Sequence, residues 1–296
     1  MSGQSTAWTP ASAGVPATVG VLGGGRMGAG IAHAFLTSGS VVAIVERDQE
    51  QAAAALGRLA NAVQASVDRG VVDESASEIL ARASISTSTS VFEACELVIE
   101  AVPEDVGLKL DSLARIEAVV AESTVVATNT SSISVTELGA SLANADRFLG
   151  LHFFNPVPGS LLVEIVVGDE TDPAVVVRAQ GWVEAIGKTA VTVLDSPGFA
   201  SSRLGLVIGL EAIRMLEEGV ASAVDIDAAM VLGYKFPVGP LRLTDIVGLD
   251  VRLGIAEYLH EHLGERFAPP QLLRDKVAAG ELGRKTGRGF FDWDAQ

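Results

Sequence analysis

Two groups of residues in this 296-residue chain have types and spacings that could do chemistry. In "LHFFNPVPGSLLVE", His152 is followed by two phenylalanines and, twelve residues on, by Glu164 inside an apolar run. A neutral imidazole, with an ordinary pKa of about 6.5, exchanges a proton readily near neutral pH. Beside aromatic rings the same histidine also reads as a packed residue in a turn. Glu164 bears on that choice, because a carboxylate in "LLVEIVV" is costly unless something pairs with it. The second group is rich in glycine. "VGVLGGGRMGAG" sets Gly23, Gly25 and Gly28 in a G-x-G-x-x-G, with Arg26 and Met27 between the last two. Such glycines allow a tight turn, let the backbone approach a pyrophosphate, and bring a helix close to the preceding strand. The helix N-terminus then offers unpaired N–H groups and a positive dipole to the anion. "VVAIVE" ends in Glu46, 18 residues past Gly28, where a carboxylate accepts hydrogen bonds from both ribose hydroxyls and repels a 2′-phosphate. The cofactor read from this pattern is NAD rather than NADP, tempered by Arg47, a cation of the kind that holds a 2′-phosphate.

These groups need a frame to hold them. From residue 17, short apolar runs alternate with helical segments: "ATVGVLG", a helix from about Met27, "VVAIVE", a long helix to about Arg69, "ELVIEAV", another helix, then "TVVATN". The alternation implies a parallel sheet covered by helices. Further strands are read at "RFLGLHFF", "LLVEIVV" and "KTAVTVL", with a helix over "DPAVVVRAQGWVEAIG". After "DSPGF" the character changes to helical spacing, punctuated by Gly and Pro. The expected fold is α/β: a Rossmann-type, mostly parallel sheet domain over 17–198, then an all-helical domain over 199–296. The first sixteen residues, rich in Ser, Pro, Gly and Ala, read as a flexible tail.

Composition removes several classes of function. A net charge of −16 argues against a nucleic-acid surface, which needs Lys and Arg to displace counterions. No apolar stretch approaches the roughly 18 residues of a membrane span, since Glu211 interrupts "LGLVIGL". One cysteine, Cys95, and four scattered histidines make a metal site unexpected. The protein is expected to be soluble and cytoplasmic. Any phosphate-bearing ligand must be held by local dipoles and a few placed cations, because the overall charge opposes it.

The motifs accumulate into a resemblance. "TNTSS" at 128–132, "GLHFFNPVP" at 150–158, "LLVE" at 161–164, "DSPGFASSR" at 195–203, "GPLRLTDIVGLD" at 239–250 and "GRKTGRGFFDW" at 283–293 together resemble the L-3-hydroxyacyl-CoA dehydrogenases, especially the short bacterial 3-hydroxybutyryl-CoA type. The resemblance implies an acyl-CoA substrate, NAD as cofactor and a homodimer. It implies that His152 and Glu164 form a catalytic dyad, that Ser131 binds the reacting oxygen, and that Asn155 lies near the thioester. Glu104, Lys109, Asn129 and Lys285 resemble the family's cofactor contacts. Two positions depart from the pattern. Ser202 stands where the family has an asparagine near the substrate, and Ala62 stands where it has a serine near the CoA end, with Arg69 in place of a lysine. Serine is shorter and cannot offer an amide donor and acceptor together, so that substrate contact is altered. His33, His260 and His262 fall in no motif and are assigned surface or packing roles.

Other readings compete. One keeps the fold and dyad but takes a free hydroxy or sugar acid, as gulonate dehydrogenases do. Another is a non-catalytic, crystallin-like dinucleotide-binding protein, against which stands the joint presence of Ser131, His152, Asn155 and Glu164. A serine hydrolase built on Ser131, His152 and Glu164 lacks the G-x-S-x-G elbow. Long apolar faces such as "LGLVIGLEAIRML" in the helical part point independently to a homodimer.

Overall fold

The structure, a computed structural model, describes residues 14–293; residues 1–13 of the expected tail lie outside the described residues. Pro16, placed in that tail by the sequence, is buried, and its carbonyl accepts the Ser40 hydroxyl at 2.7 Å. The chain divides into two compact units, one ending at Asp195 and the other beginning at Ser196.

In the first unit, β1 (Thr18–Leu22), β2 (Val41–Val45), β3 (Ala83–Ser86), β4 (Leu97–Glu100), β5 (Val125–Thr128), β6 (Phe148–Phe153), β7 (Leu162–Val167) and β8 (Thr189–Leu194) form one sheet. Its order is β3-β2-β1-β4-β5-β6-β7-β8. The first six strands run parallel, β7 runs antiparallel to β6, and β8 is parallel to β7. Strands buried on both faces read as unbroken apolar runs, which is why β1, β2 and β4 are visible in the sequence. β3 has the sequence ASIS, with no residue fully buried, and the sequence reading passed over it. Helices α1 (Arg26–Thr37), α2 (Gln49–Asp68), α4 (Val106–Glu117) and α6 (Pro173–Ala185) make the long crossovers, while α3 (Ala76–Leu80) and α5 (Val135–Gly139) are short. Asp48, Asp105 and Asp172 cap α2, α4 and α6 by accepting backbone N–H groups of the first turn. The core joins both faces of the sheet through Val19, Val21, Ile31, Phe35, Ile44, Leu59, Leu97, Ile99 and Ile165.

The second unit contains α7 (Ser201–Glu217), α8 (Ala223–Ala228), α9 (Pro240–Val247), α10 (Leu249–Leu263) and α11 (Gln271–Ala278) around Leu206, Leu210, Ile213, Leu241, Leu249 and Leu259. Gly248, at φ +107°, separates α9 from α10 where the sequence showed one helical run. After α11 this helical unit ends in a short 3-10 turn over Arg284–Thr286. Arg288 bridges to Gly283 and Asp292, and Asp245 on α9 accepts the N–H groups of Phe290, Phe291 and the Trp293 indole at 2.8–2.9 Å. A buried carboxylate with three donors ties the C-terminal residues to the helices.

Candidate active site

The chemistry-bearing residues of the first unit gather at or just beyond the carboxyl ends of β1, β2, β4, β5 and β6, with Glu164 brought to them near the amino end of the antiparallel β7. The sheet order reverses between β1 and β4, the switch point outside which open α/β sheets bind their ligands. Gly23 leaves β1 at φ +96°, a left-handed conformation open to glycine. At Gly28 a Cβ would lie 1.7 Å from the Gly23 carbonyl oxygen, so helix and turn touch through this residue. Gly25 differs from both, for a Cβ there would meet nothing within 4 Å. It begins α1 with no side chain capping the helix, so the first-turn N–H groups face an open cradle suited to a pyrophosphate. Arg26 is exposed and Met27 is half-buried at the core's edge.

Glu46 follows β2. Its Oε1 accepts the Gly24 N–H at 2.7 Å and its Oε2 accepts the Arg47 N–H at 3.2 Å. The Arg47 guanidinium turns to Asp48 at 3.2 Å. Glycine turn and acidic strand end are therefore joined in one structure, and they fit the diphosphate and ribose of a dinucleotide.

A second cluster lies at the ends of β4 and β5. Glu100 is fully buried and receives the Lys109 ammonium at 3.0 and 3.1 Å, the Thr128 hydroxyl at 2.6 Å and the Val102 N–H at 2.7 Å. Lys109, itself 1% exposed, also lies 3.3 Å from Glu104. Glu104 accepts the Thr130 hydroxyl at 2.6 Å and the Ser131 and Ser132 N–H groups at 2.8 and 3.2 Å. Burial pushes its carboxyl up, but Lys109, the Thr130 hydroxyl and the Ser131 N–H outweigh this and hold it below the usual range. Two of the residues read as cofactor contacts thus form a network that grips the Ser131 loop. Glu100, Thr128 and Thr130 were missed. The signal for Glu100 was available, a carboxylate ending the apolar "LVIE" as Glu164 interrupts "LLVEIVV".

Asn129 accepts the Phe153 N–H at 2.9 Å through Oδ1, which fixes the end of β5 against β6 next to His152. His152 and Glu164 are register partners across β6 and β7, and His152 Nδ1 lies 2.8 Å from Glu164 Oε2. Both are buried, at 4% and 1% exposure, so the carboxylate is desolvated and its bond to the ring is strong. Phe154 packs on the imidazole with ring centroids 4.3 Å apart. Carboxylate acceptance at Nδ1 assigns the proton to that nitrogen and makes Nε2 the basic one. Asn155, one residue beyond Phe154, is exposed.

The remaining sequence-read positions have their own local settings. Arg69 is the exposed C-cap of α2, with Nε donating to the Ala65 carbonyl at 2.8 Å. Ser202 and Lys285 belong to the second unit, Ser202 half-buried on α7 and Lys285 held by both Asp250 oxygens at 2.6 Å. His33 is buried and bonded to the Ser66 hydroxyl at 2.8 Å, a packing role; His260 and His262 lie near the end of α10. Cys95 is a free buried thiol, pushed up to about 11 by burial.

A glycine turn and helix N-terminus at the switch point of a Rossmann-type sheet, with an acidic residue ending the next strand, define a dinucleotide-binding oxidoreductase fold. Comparison with known proteins gives the family. Residues 18–196 match the model of the 3-hydroxyacyl-CoA dehydrogenase NAD binding domain, and residues 198–293 match that of the C-terminal domain. The chain is 39% identical over 276 residues to a probable 3-hydroxybutyryl-CoA dehydrogenase of Bacillus subtilis, covering 93% of this chain and 96% of the relative. It is 39% identical over 279 residues to a 3-hydroxybutyryl-CoA dehydrogenase of Mycobacterium tuberculosis, covering 93% and 98%. The solved (S)-3-hydroxybutyryl-CoA dehydrogenase of Ralstonia eutropha superposes with a TM-score of 0.90 at 39% identity, over 94% of this chain and 99% of that one. The chain belongs to the 3-hydroxyacyl-CoA dehydrogenase family, as its motifs implied, and is an NAD-dependent enzyme.

Proposed function

We propose that this protein interconverts an (S)-3-hydroxyacyl-CoA and the 3-ketoacyl-CoA, with 3-hydroxybutyryl-CoA as the substrate and His152 and Glu164 as the acid–base pair. The observation that carries this reading is the buried 2.8 Å contact between His152 Nδ1 and Glu164, at the strand ends that also carry the dinucleotide turn. Bound NAD supplies the hydride acceptor for C3 of the substrate. His152 Nε2 takes the hydroxyl proton, and the O–H electron pair becomes the second bond of the new carbonyl. Glu164 holds the imidazole in the required tautomer and stabilises the imidazolium that forms. The Ser131 hydroxyl donates to the reacting oxygen from a loop pinned by Glu104, and Asn155 faces the thioester end. Gly23, Gly25, Arg26, Met27, Gly28 and Glu46 would hold the diphosphate and adenosine, with Glu104, Lys109 and Asn129 serving the nicotinamide half and Lys285 a further cofactor contact. Arg69 would serve the CoA phosphates, and Ser202 the substrate.

The same reading includes a homodimer formed through the second unit, where Leu204, Val220, Val224, Leu232 and Tyr234 are exposed. It also includes a cytoplasmic location, which suits a chain whose single cysteine is free. The direct test is oxidation of NADH with acetoacetyl-CoA and longer 3-ketoacyl-CoA substrates, repeated with NADPH. Turnover of acetoacetyl-CoA with NADH is expected. Turnover confined to free hydroxy or keto acids would assign the dyad to the alternative substrate class.

A further inference from the structure

The loop of residues 154–161 joins the strand of His152 to that of Glu164 and carries Asn155, so its shape sets where that amide stands relative to the dyad. Its backbone polar groups need partners. A turn over Val157–Gly159 supplies some of them, because the Pro156 carbonyl accepts the Gly159 and Ser160 N–H groups at 3.0 Å. The Val157 and Ser160 carbonyls are met by one side chain from a distant segment. Lys188, the residue before β8, donates its ammonium to them at 2.7 and 2.5 Å. Among the described residues no carboxylate shares this charge, and burial alone acts on its titration, lowering it from the ordinary lysine value. A half-buried ammonium held by two carbonyls of one loop is a clamp on that loop.

The two ends of the loop are tied differently. At its far end the Thr189 N–H donates to the Leu161 carbonyl at 2.6 Å, which continues the pairing of β7 with β8. The half that begins with Asn155 lies outside the strand ladders and is exposed at Asn155, Pro156, Pro158 and Gly159. Its buried anchor is Val157, at 2% exposure. This side chain packs on α1 at Gly30, where a Cβ would lie 2.9 Å from the Val157 Cβ. The Asn155 half is therefore seated by the Val157 side chain on one side and held through the Val157 carbonyl by Lys188 on the other.

We propose that Lys188 is a positioning residue for the reaction: by bridging the Val157 and Ser160 carbonyls it fixes the loop that presents Asn155 to the thioester end of the substrate. The proposal rests on the acyl-CoA reading above and on the place of Asn155 in it. A displacement of about 1 Å in a group that orients substrate can cost on the order of a hundredfold in rate, so a clamp remote from the reacting atoms matters.

The test is a double-mutant cycle between Lys188→Met and Asn155→Ala, read as kcat/KM for acetoacetyl-CoA per NADH-binding site. Lys188→Met keeps an unbranched stem and removes the donors. Each single variant is expected to lose at least about tenfold, with NADH affinity within about twofold of natural. The double variant is expected to fall no more than about threefold below the worse single, because both changes remove the same contact. Lys188→Arg keeps a cation with several donors and is expected to recover most of the loss. Should Lys188→Met not fold, Lys188→Gln takes its place in the cycle. Natural activity in the Lys188 variant, losses that multiply in the double variant, or no recovery in Lys188→Arg would overturn the proposal. Full activity in Asn155→Ala, or no turnover of acetoacetyl-CoA by the natural enzyme, would instead strike the reading on which it rests.

Discussion

His152 and Glu164 face each other across the antiparallel ladder of β6 and β7, with Nδ1 2.8 Å from Oε2. Strand pairing itself brings the proposed base and its orienter together, with the loop of residues 154–161 closing the turn between them. His152→Gln is expected to lower kcat at least about a hundredfold while NADH affinity stays near normal. Glu164→Gln keeps the shape but removes the charge, and a loss of about a hundredfold to ten-thousandfold is expected. Steady-state kinetics with NADH titration by fluorescence measures both. Near-normal turnover in either variant would sink the dyad.

The glycines of the proposed dinucleotide turn are expected to separate folding from binding. At Gly25, φ is −62° and a Cβ meets nothing, so Gly25→Ala is expected to leave thermal stability nearly unchanged. The added methyl occupies the anion cradle, and NADH affinity is expected to fall at least about tenfold. Gly28→Ala drives a Cβ onto the Gly23 carbonyl and is expected to cost more than about 3 kcal/mol of stability. Calorimetry of the two apo variants beside NADH titrations tells the roles apart.

Lys109 is sealed inside the protein with Glu100, so its removal leaves a buried, uncompensated carboxylate. Lys109→Met is expected to destabilise the enzyme by about 3–5 kcal/mol in urea unfolding. Adding Glu100→Gln to that variant is expected to recover part of the loss, because the stranded charge is then gone. A variant of unchanged stability that had lost only NADH affinity would contradict the role of this pair in holding the Ser131 loop.

His33 links stability to pH. Burial first, then the Arg69 and Lys188 charges, lowers its pKa from the ordinary 6.5, so the folded state keeps it neutral. The sign follows from proton uptake. At pH values below about 6.5 the unfolded chain binds the proton that the folded chain resists, so this contribution is present above that value and lost as pH falls through the folded one. The difference in melting temperature between the natural protein and His33→Gln is expected to shrink as pH drops from 7.5 to 5. A difference that stays constant over that range would refute the linkage.

Exposed apolar residues on the helical unit are the basis for the proposed dimer. Light scattering at micromolar concentration is expected to give twice the chain mass, and Leu232→Glu with Tyr234→Glu to shift it towards the monomer. A monomeric natural protein would refute the assembly.

Much of the α/β frame was legible in the sequence, because β1, β2 and β4 are buried on both faces and leave unbroken apolar runs. The half-exposed β3 left no such trace and emerged only through pairing with β2. The Gly23–Gly28 turn and Glu46 were also legible, since their chemistry depends on local spacing along one β-α-β unit. What sequence alone determined was therefore the fold class, the cofactor turn and the family. Tertiary structure decided the pairings that cross the chain. It set Glu164 opposite His152 and closed Lys109 between Glu100 and Glu104. A buried charge is defined by what surrounds it, and those neighbours come from distant segments that only the folded sheet and helices bring into reach.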